Sequence, residues 1–227
     1  MERYTVIHRG MPREMVLLQG TGCRWAHCRF CNYYHDTSAD PYQTNRIPLS
    51  RITGQYGVLD VINSGSAPEL DEDTLELIAE TVKDKKIHTI WLEAHYMYRK
   101  QLKEFAGRFN PATVKFRCGI ESFDPSLRNL WHKGIPDSVT PEDVADYFQG
   151  VCLLCCTRGE RKERILQDIR TAQEHFEYFS INLFCNNGTE IHRDEGLAEW
   201  FIKEIYPSIK DEPGIDILLE NTDLGVG

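Results

Sequence analysis

Apolar residues fall along the chain in two alternating textures. Short continuous runs occur at 15–19, 57–62, 87–93, 113–120, 150–156 and 179–185, with a weaker one at 215–219. Between them apolar positions recur every three or four residues. Leu75, Ile78, Ala79 and Val82 form one stripe, Ile165, Ile169, Ala172 and Phe176 a second, and Leu197, Trp200, Phe201 and Ile205 a third. The first texture suits strands covered on both faces, as parallel strands are, and the second suits amphipathic helices laid over them. Thr140-Pro141 offers a capping hydroxyl and then proline in the first turn, which predicts a helix start. Gly134 is placed to stop the helix that carries Leu127, Leu130 and Trp131.

Strand and helix alternating about six times predicts an α/β fold with right-handed crossovers. A complete eightfold barrel takes about 250 residues. The 227 residues here suit six units with short loops, so the expectation is a partial (βα)6 TIM-like barrel, left open, with one continuous core. No linker, low-complexity stretch or internal repeat divides the chain, which predicts a single domain over 1–227. In folds of this kind reactive groups collect at the carboxyl ends of the strands.

Composition narrows the function classes. Net charge is −9, with a pI of about 5.4 and a mean hydropathy of −0.45. No apolar run approaches the roughly 20 residues of a membrane span, and MERYTVIHRG lacks the apolar centre of a signal peptide. The expectation is a soluble cytoplasmic protein without a membrane partner. A chain that held long nucleic acid would carry a basic face. The basic clusters, Lys83-Asp84-Lys85-Lys86 and Arg158-Gly159-Glu160-Arg161-Lys162, read as solvated helix ends, so stable nucleic-acid binding is not expected and a small substrate is favoured.

The chemistry concentrates in GTGCRWAHCRFCNYYHD, where Cys23, Cys28 and Cys31 are spaced C-x4-C-x2-C directly after the first apolar run. Structural zinc wants four closed ligands, usually two cysteine or histidine pairs from separate turns. Here all three cysteines share one loop and no second pair is near, with only His27 or His35 as a fourth ligand. A plant-type [2Fe–2S] site shares the spacing but needs a fourth cysteine, and the next is Cys118, in the fourth predicted strand. A [4Fe–4S] cluster held by three thiolates, its fourth iron open, is the reading that the pattern favours. Cys152 and Cys155 alternate across a strand and so cannot share one metal. They, Cys156, Cys118 and Cys185 read as small buried hydrophobes, although Cys185 ends the sixth strand and is in reach of a substrate.

With these residues in hand, the chain resembles the radical S-adenosylmethionine superfamily. That superfamily usually shows C-x3-C-x-aromatic-C after the first strand of a partial (βα)6 barrel. Phe30 holds the aromatic position before Cys31, and the departure is one extra residue between Cys23 and Cys28. The resemblance implies a cofactor turn at Asn63-Ser64-Gly65-Ser66-Ala67-Pro68, where the usual glutamate is absent and the methionyl amine would fall to backbone carbonyls and Ser66. It implies cofactor roles for Glu93, at the end of Trp91-Leu92-Glu93-Ala94-His95, and for Glu121 in the segment similar to the superfamily's "GIES". It implies a cation for the methionyl carboxylate at Lys133, and an adenine contact at Asn182. Other roles stay open: Glu121 as part of a helix cap, Lys133 as complement to its helix C-terminus, and Glu93 as a substrate carboxylate.

Within the superfamily the chain is most similar to the queuine lyase subgroup of queuosine salvage. That implies cleavage of the carbon–nitrogen bond between queuine's cyclopentenediol and its aminomethyl arm by way of a 5′-deoxyadenosyl radical, releasing 7-aminomethyl-7-deazaguanine (preQ1). It implies a deazaguanine base as substrate and a reducing partner such as flavodoxin or ferredoxin. The strand ends place His95, Tyr96, Arg158, Asn186, Asn187 and Glu220 as expected substrate contacts. The alternatives are an activating or tRNA-modifying radical enzyme and a non-catalytic iron–sulfur electron-transfer protein.

Overall fold

The computed structural model describes all residues 1–227. Eight strands form one sheet in sequence order: β1 (Tyr4–Ile7), β2 (Arg13–Leu18), β3 (Val58–Asn63), β4 (Thr89–Glu93), β5 (Thr113–Glu121), β6 (Gly150–Cys155), β7 (Tyr178–Leu183) and β8 (Ile215–Leu218). β1 is antiparallel to β2, and every later neighbour is parallel. β1 and β8 do not pair, so the sheet is an open, partial TIM-like barrel. Every apolar run predicted as a strand lies on one. β1 was not predicted from the pattern.

Helices fill each parallel crossover: α1 (Tyr42–Ser50), α2 (Glu72–Asp84), α3 (Leu102–Ala106), α4 (Pro125–Leu130), α5 (Pro141–Ala145), α6 (Lys162–His175), α7 (Glu195–Trp200) and α8 (Tyr206–Ile209). A π segment, Phe201–Ile205, joins the last two and carries the end of the third stripe. Thr140 caps α5 through the amide of Asp143, as its sequence predicts. Gly134 does not end α4: the helix stops at Leu130, and Gly134 serves another purpose described below.

Alternation along the strands sorts the residues into two faces. The outward set, including Val16, Leu59, Ile90, Cys118, Val151 and Ile181, joins the helices in a core of 42 buried residues. The inward face departs from an apolar filling. Arg13 Nε lies 2.8 Å from Asp60 Oδ2, and Arg117 meets both oxygens of Asp60, at 2.9 and 2.6 Å. Arg13 also reaches Asp216 at 2.5 Å, and Tyr178 donates to that carboxylate at 2.6 Å. Burial pushes the Asp60 carboxyl up, but the guanidinium groups of Arg117 and Arg13 outweigh it and hold the group below its usual range. Two smaller apolar clusters lie apart from the main core, Leu127 with Trp131, Leu154, Phe184 and Ile191, and Met15 with Leu17 and Val226. The core is therefore not one continuous body: the sheet stands between the helical layer and the barrel interior, and the charged floor occupies part of that interior.

Candidate active site

A cavity of about 320 Å³ opens above the charged floor, at the carboxyl ends of the strands. Cys23, Cys28, Cys31 and Phe30 enter it on the loop between β2 and α1. Burial pushes the Cys28 thiol up to about 11 and the Cys31 thiol upward too, with the Lys133 ammonium opposing in both cases. No three His, Cys, Asp or Glu side chains converge on a single-ion position.

The loop is held at several points. Ala26 takes a left-handed φ of +42°, so the x4 stretch doubles back between Cys23 and Cys28. Trp25, within that stretch, donates its indole N–H to the His132 carbonyl at 2.8 Å and stacks on His95. Gly134 lies directly beneath it, at φ +72°, where a Cβ would stand 2.1 Å from the Trp25 ring. That contact, rather than a helix stop, explains the glycine. Farther along, the Arg29 amide donates to the Trp131 carbonyl at 2.9 Å, and Asn187 donates its amide to the Phe30 carbonyl at 2.8 Å. Asn32 returns a bond to the Asn187 carbonyl at 3.2 Å.

The turn after β3 approaches the loop closely. A Cβ on Gly65 would lie 2.5 Å from Glu69 Oε2 and 3.0 Å from the Gly22 carbonyl oxygen, so a side chain here would push the Glu69 carboxylate aside and crowd the loop. Ser64 and Ser66 line the cavity, and their hydroxyl oxygens accept from the amides of Gly20 at 2.9 Å and His95 at 3.0 Å. A glutamate just after the turn, Glu69, does not line the cavity and is spent on the protein itself. Glu69 accepts from the amides of Ser66 at 2.8 Å and Arg24 at 3.1 Å, and from the Tyr98 hydroxyl at 2.7 Å. It thereby ties the turn to the cysteine loop.

Two ion pairs border the cavity, one of them buried on both sides. Lys133 Nζ lies 2.9 Å from Glu121 Oε1, each side chain 10 % exposed. Glu121 sits at φ +66°, where β5 shifts register against β6, and this strained conformation turns its carboxylate toward Lys133. Gly119 makes room, since a Cβ there would lie 2.8 Å from Glu121 Oε1 and 3.1 Å from Lys133 Nζ. Neither a helix cap nor a helix-end cation describes these residues. In the second pair, Arg117 Nη2 lies 3.2 Å from Glu93 Oε1. Burial pushes the Glu93 carboxyl up against the pull of Arg117.

Asn182 lines the cavity and donates to the Leu153 carbonyl and Ser180 Oγ, both at 3.2 Å. His95 lines it too, but both ring nitrogens are engaged: Nε2 with the Lys133 carbonyl at 2.7 Å, Nδ1 with the Met97 amide at 3.2 Å. The carbonyl can only accept, so Nε2 carries the proton and Nδ1 accepts. Burial pushes this imidazole down to about 4, so it stays neutral and works as a strut. Arg158, Asn186 and Glu220 do not line the cavity. Arg158 is exposed on the turn that follows Cys156, whose φ of +64° swings the chain away after β6. The Asn186 side chain accepts from the Arg193 amide at 2.9 Å, and Asn187 faces the site in its place. Glu220 is exposed beside Cys185 and Arg193. Tyr96 is buried in the main core. Sequence reasoning missed Trp25, Glu69, Arg117 and the cavity side of Cys152. Only Trp25, an aromatic inside the widened spacing, carried a signal.

No protein-family model and no curated protein matches the chain. Among solved structures, a queuine lyase from Clostridium spiroforme, bound to SAM and queuine, is similar at 39 % identity and a TM-score of 0.95, covering 100 % of this chain and 99 % of that one. An open α/β barrel whose first parallel strand feeds a three-cysteine loop into the cavity at its strand ends is a radical S-adenosylmethionine enzyme. At this identity over the full length, the chain belongs to the queuine lyase family.

Proposed function

We propose that this chain cleaves queuine to 7-aminomethyl-7-deazaguanine by breaking the carbon–nitrogen bond to the cyclopentenediol. The observation that carries the reading is the full-length similarity to a queuine lyase with SAM and queuine bound. In this reading residues 1–227 are a single radical SAM core domain of the (βα)6 type. Cys23, Cys28 and Cys31 would hold a [4Fe–4S] cluster and leave one iron without a protein ligand. The donor chemistry suits it: three soft thiols share one cavity mouth without converging on one point, and a cubane places each thiolate on its own iron.

The site also suits S-adenosylmethionine. Lys133 is a buried ammonium with three donors, of which one goes to Glu121, so two remain for a carboxylate in the cavity. Together the bound cluster and cofactor supply a 5′-deoxyadenosyl radical, and the chain's residues orient it and exclude water. Lys133 would hold the methionyl carboxylate, and Glu121 keeps Lys133 charged and aimed. Backbone groups of the Ser64-Gly65-Ser66 turn would take the methionyl amine, and Asn182 and its strand would face the adenine. Phe30 packs edge-on to Trp131 at 6.1 Å and shields the loop between Cys28 and Cys31. No helix is long and apolar enough to cross a membrane. The reading includes a cytoplasmic location and a reducing partner such as flavodoxin or ferredoxin.

The test is anaerobic. Reconstituted protein with dithionite and S-adenosylmethionine should form 5′-deoxyadenosine faster when queuine is added, and 7-aminomethyl-7-deazaguanine should appear by mass. Formation indifferent to queuine would discard the substrate.

A further inference from the structure

The two carboxylates that line the cavity stand on different supports. Glu121 is held by Lys133, and that pair acts on Cys28. Glu93 belongs to the floor: its Oε1 faces Arg117 Nη2 at 3.2 Å and Cys152 Sγ at 3.7 Å, while Oε2 has no partner in the protein. Arg117 is itself fixed by its two bonds to Asp60 and lies 5.3 Å from the Tyr178 ring centre, so the support does not swing. The Glu93 side chain is 30 % exposed, and that exposure is to the cavity it lines.

The wall from the two ends of the sheet is apolar. Met15 and Leu17 of β2 pack with Leu224 and Val226 of the segment after β8. That segment bridges the open flank of the barrel, since Gly227 and Glu2 exchange backbone hydrogen bonds at 2.9 and 3.2 Å. The cavity thus presents a flat apolar side and, on the central strands, an anchored carboxylate with a free oxygen.

We propose that Glu93 reads the substrate rather than the cofactor: its carboxylate accepts from the ring N–H and exocyclic amino group of the 2-aminopyrimidinone edge, while Leu17 and Val226 cover a ring face. This rests on the proposed queuine-cleaving function. The reacting carbon–nitrogen bond must face the part of the cavity that the three cysteines line, so the opposite pole of the molecule is turned toward the charged floor, which Arg117 and Tyr178 bring into the lining. That pole is rich in N–H donors, and a carboxylate is the acceptor-only side chain that matches it. Each carboxylate has one oxygen in an ion pair, but Glu121 is bonded to Lys133, whose remaining donors serve the cofactor carboxylate, whereas Glu93 is bonded to Arg117 of the floor and so stands at that pole.

The experiment is equilibrium calorimetry on cluster-reconstituted protein, wild type and Glu93→Gln, with queuine, its analogue lacking the 2-amino group, and S-adenosylmethionine. The wild type should bind the analogue roughly tenfold more weakly than queuine, and Glu93→Gln should lose a similar factor for queuine. The variant should barely distinguish the two bases and keep its S-adenosylmethionine affinity. Equal binding of both bases by the wild type overturns the inference, and needs no variant that folds. A variant that loses S-adenosylmethionine and keeps queuine overturns it too. A wild type that binds S-adenosylmethionine but no queuine fails the proposed function, and the inference falls with it.

Discussion

The indole of Trp25 lies over the imidazole of His95, their ring centres 5.6 Å apart and their planes 16° from parallel. This stack joins the widened cysteine spacing to the end of β4. A neutral imidazole with both nitrogens bonded is a rigid surface, and the indole N–H to His132 adds a directional tie. Trp25→Ala removes a stack worth about 0.5–1.5 kcal/mol and a hydrogen bond of about 1 kcal/mol. The loop is half-exposed, so the fold should survive. Reconstituted Trp25→Ala should lose iron to a chelator roughly tenfold faster than wild type, followed by visible absorbance, with a nearly unchanged melting temperature.

Lys133 and Glu121 should behave as a unit. Removing one member of a buried pair strands the other charge, at about 3–5 kcal/mol, whereas removing both costs less. Lys133→Met should therefore be more destabilised than Lys133→Met/Glu121→Gln in urea unfolding. Both proteins should lose S-adenosylmethionine affinity, because both lack the ammonium. A double variant that regains stability without regaining that affinity separates the structural part of the pair from its binding part.

The charged floor makes a different forecast. Asp60 is fully buried and serves two guanidinium groups. Asp60→Asn removes the carboxylate that both cations share, leaving Arg13 with Asp216 alone and Arg117 with Glu93 alone, and should cost about 3–5 kcal/mol. Urea midpoints of wild type and variant check this. A loss below about 1 kcal/mol would mean that Glu93 and Asp216 can neutralise the floor unaided.

Much of this architecture was legible because its causes are local. Continuous apolar runs and helical stripes report burial on both faces of a strand and one face of a helix. β1 escaped because it is four half-buried residues on the sheet edge, with no run to read. The cysteine loop was legible because its ligand candidates lie within nine residues. The floor was not, because its members come from distant strands: Arg13 and Asp216 are 203 residues apart. Arg158, Asn186 and Glu220 stand near strand ends in the sequence, but a left-handed Cys156 and a one-residue phase between Asn186 and Asn187 decide which side chains face inward. Such phases follow from backbone turns that no residue type announces.

Stability should fall as pH rises through neutrality, and Glu160 is the main reason. Burial pushes its carboxyl up to about 7, against bonds from the Thr157 amide and hydroxyl and with help from Asp168 and Asp194. Burial likewise pushes Asp168 up to about 6, against bonds from Ser122 and the Phe123 amide. An acid whose folded pKa lies above its unfolded value keeps its proton in the folded chain while the unfolded chain has released it. Stability is then full below the unfolded pKa and lost as pH climbs through the folded one. His95, pushed down to about 4, has the opposite sign but acts only below its ordinary value of 6.5. Comparing wild type with Glu160→Gln cancels that contribution. The wild-type urea midpoint should drop between about pH 5 and pH 8, and Glu160→Gln should lose much of that drop, up to about 3 kcal/mol. Parallel pH profiles for the two proteins would show that Glu160 ionises in the folded chain as readily as in the unfolded one.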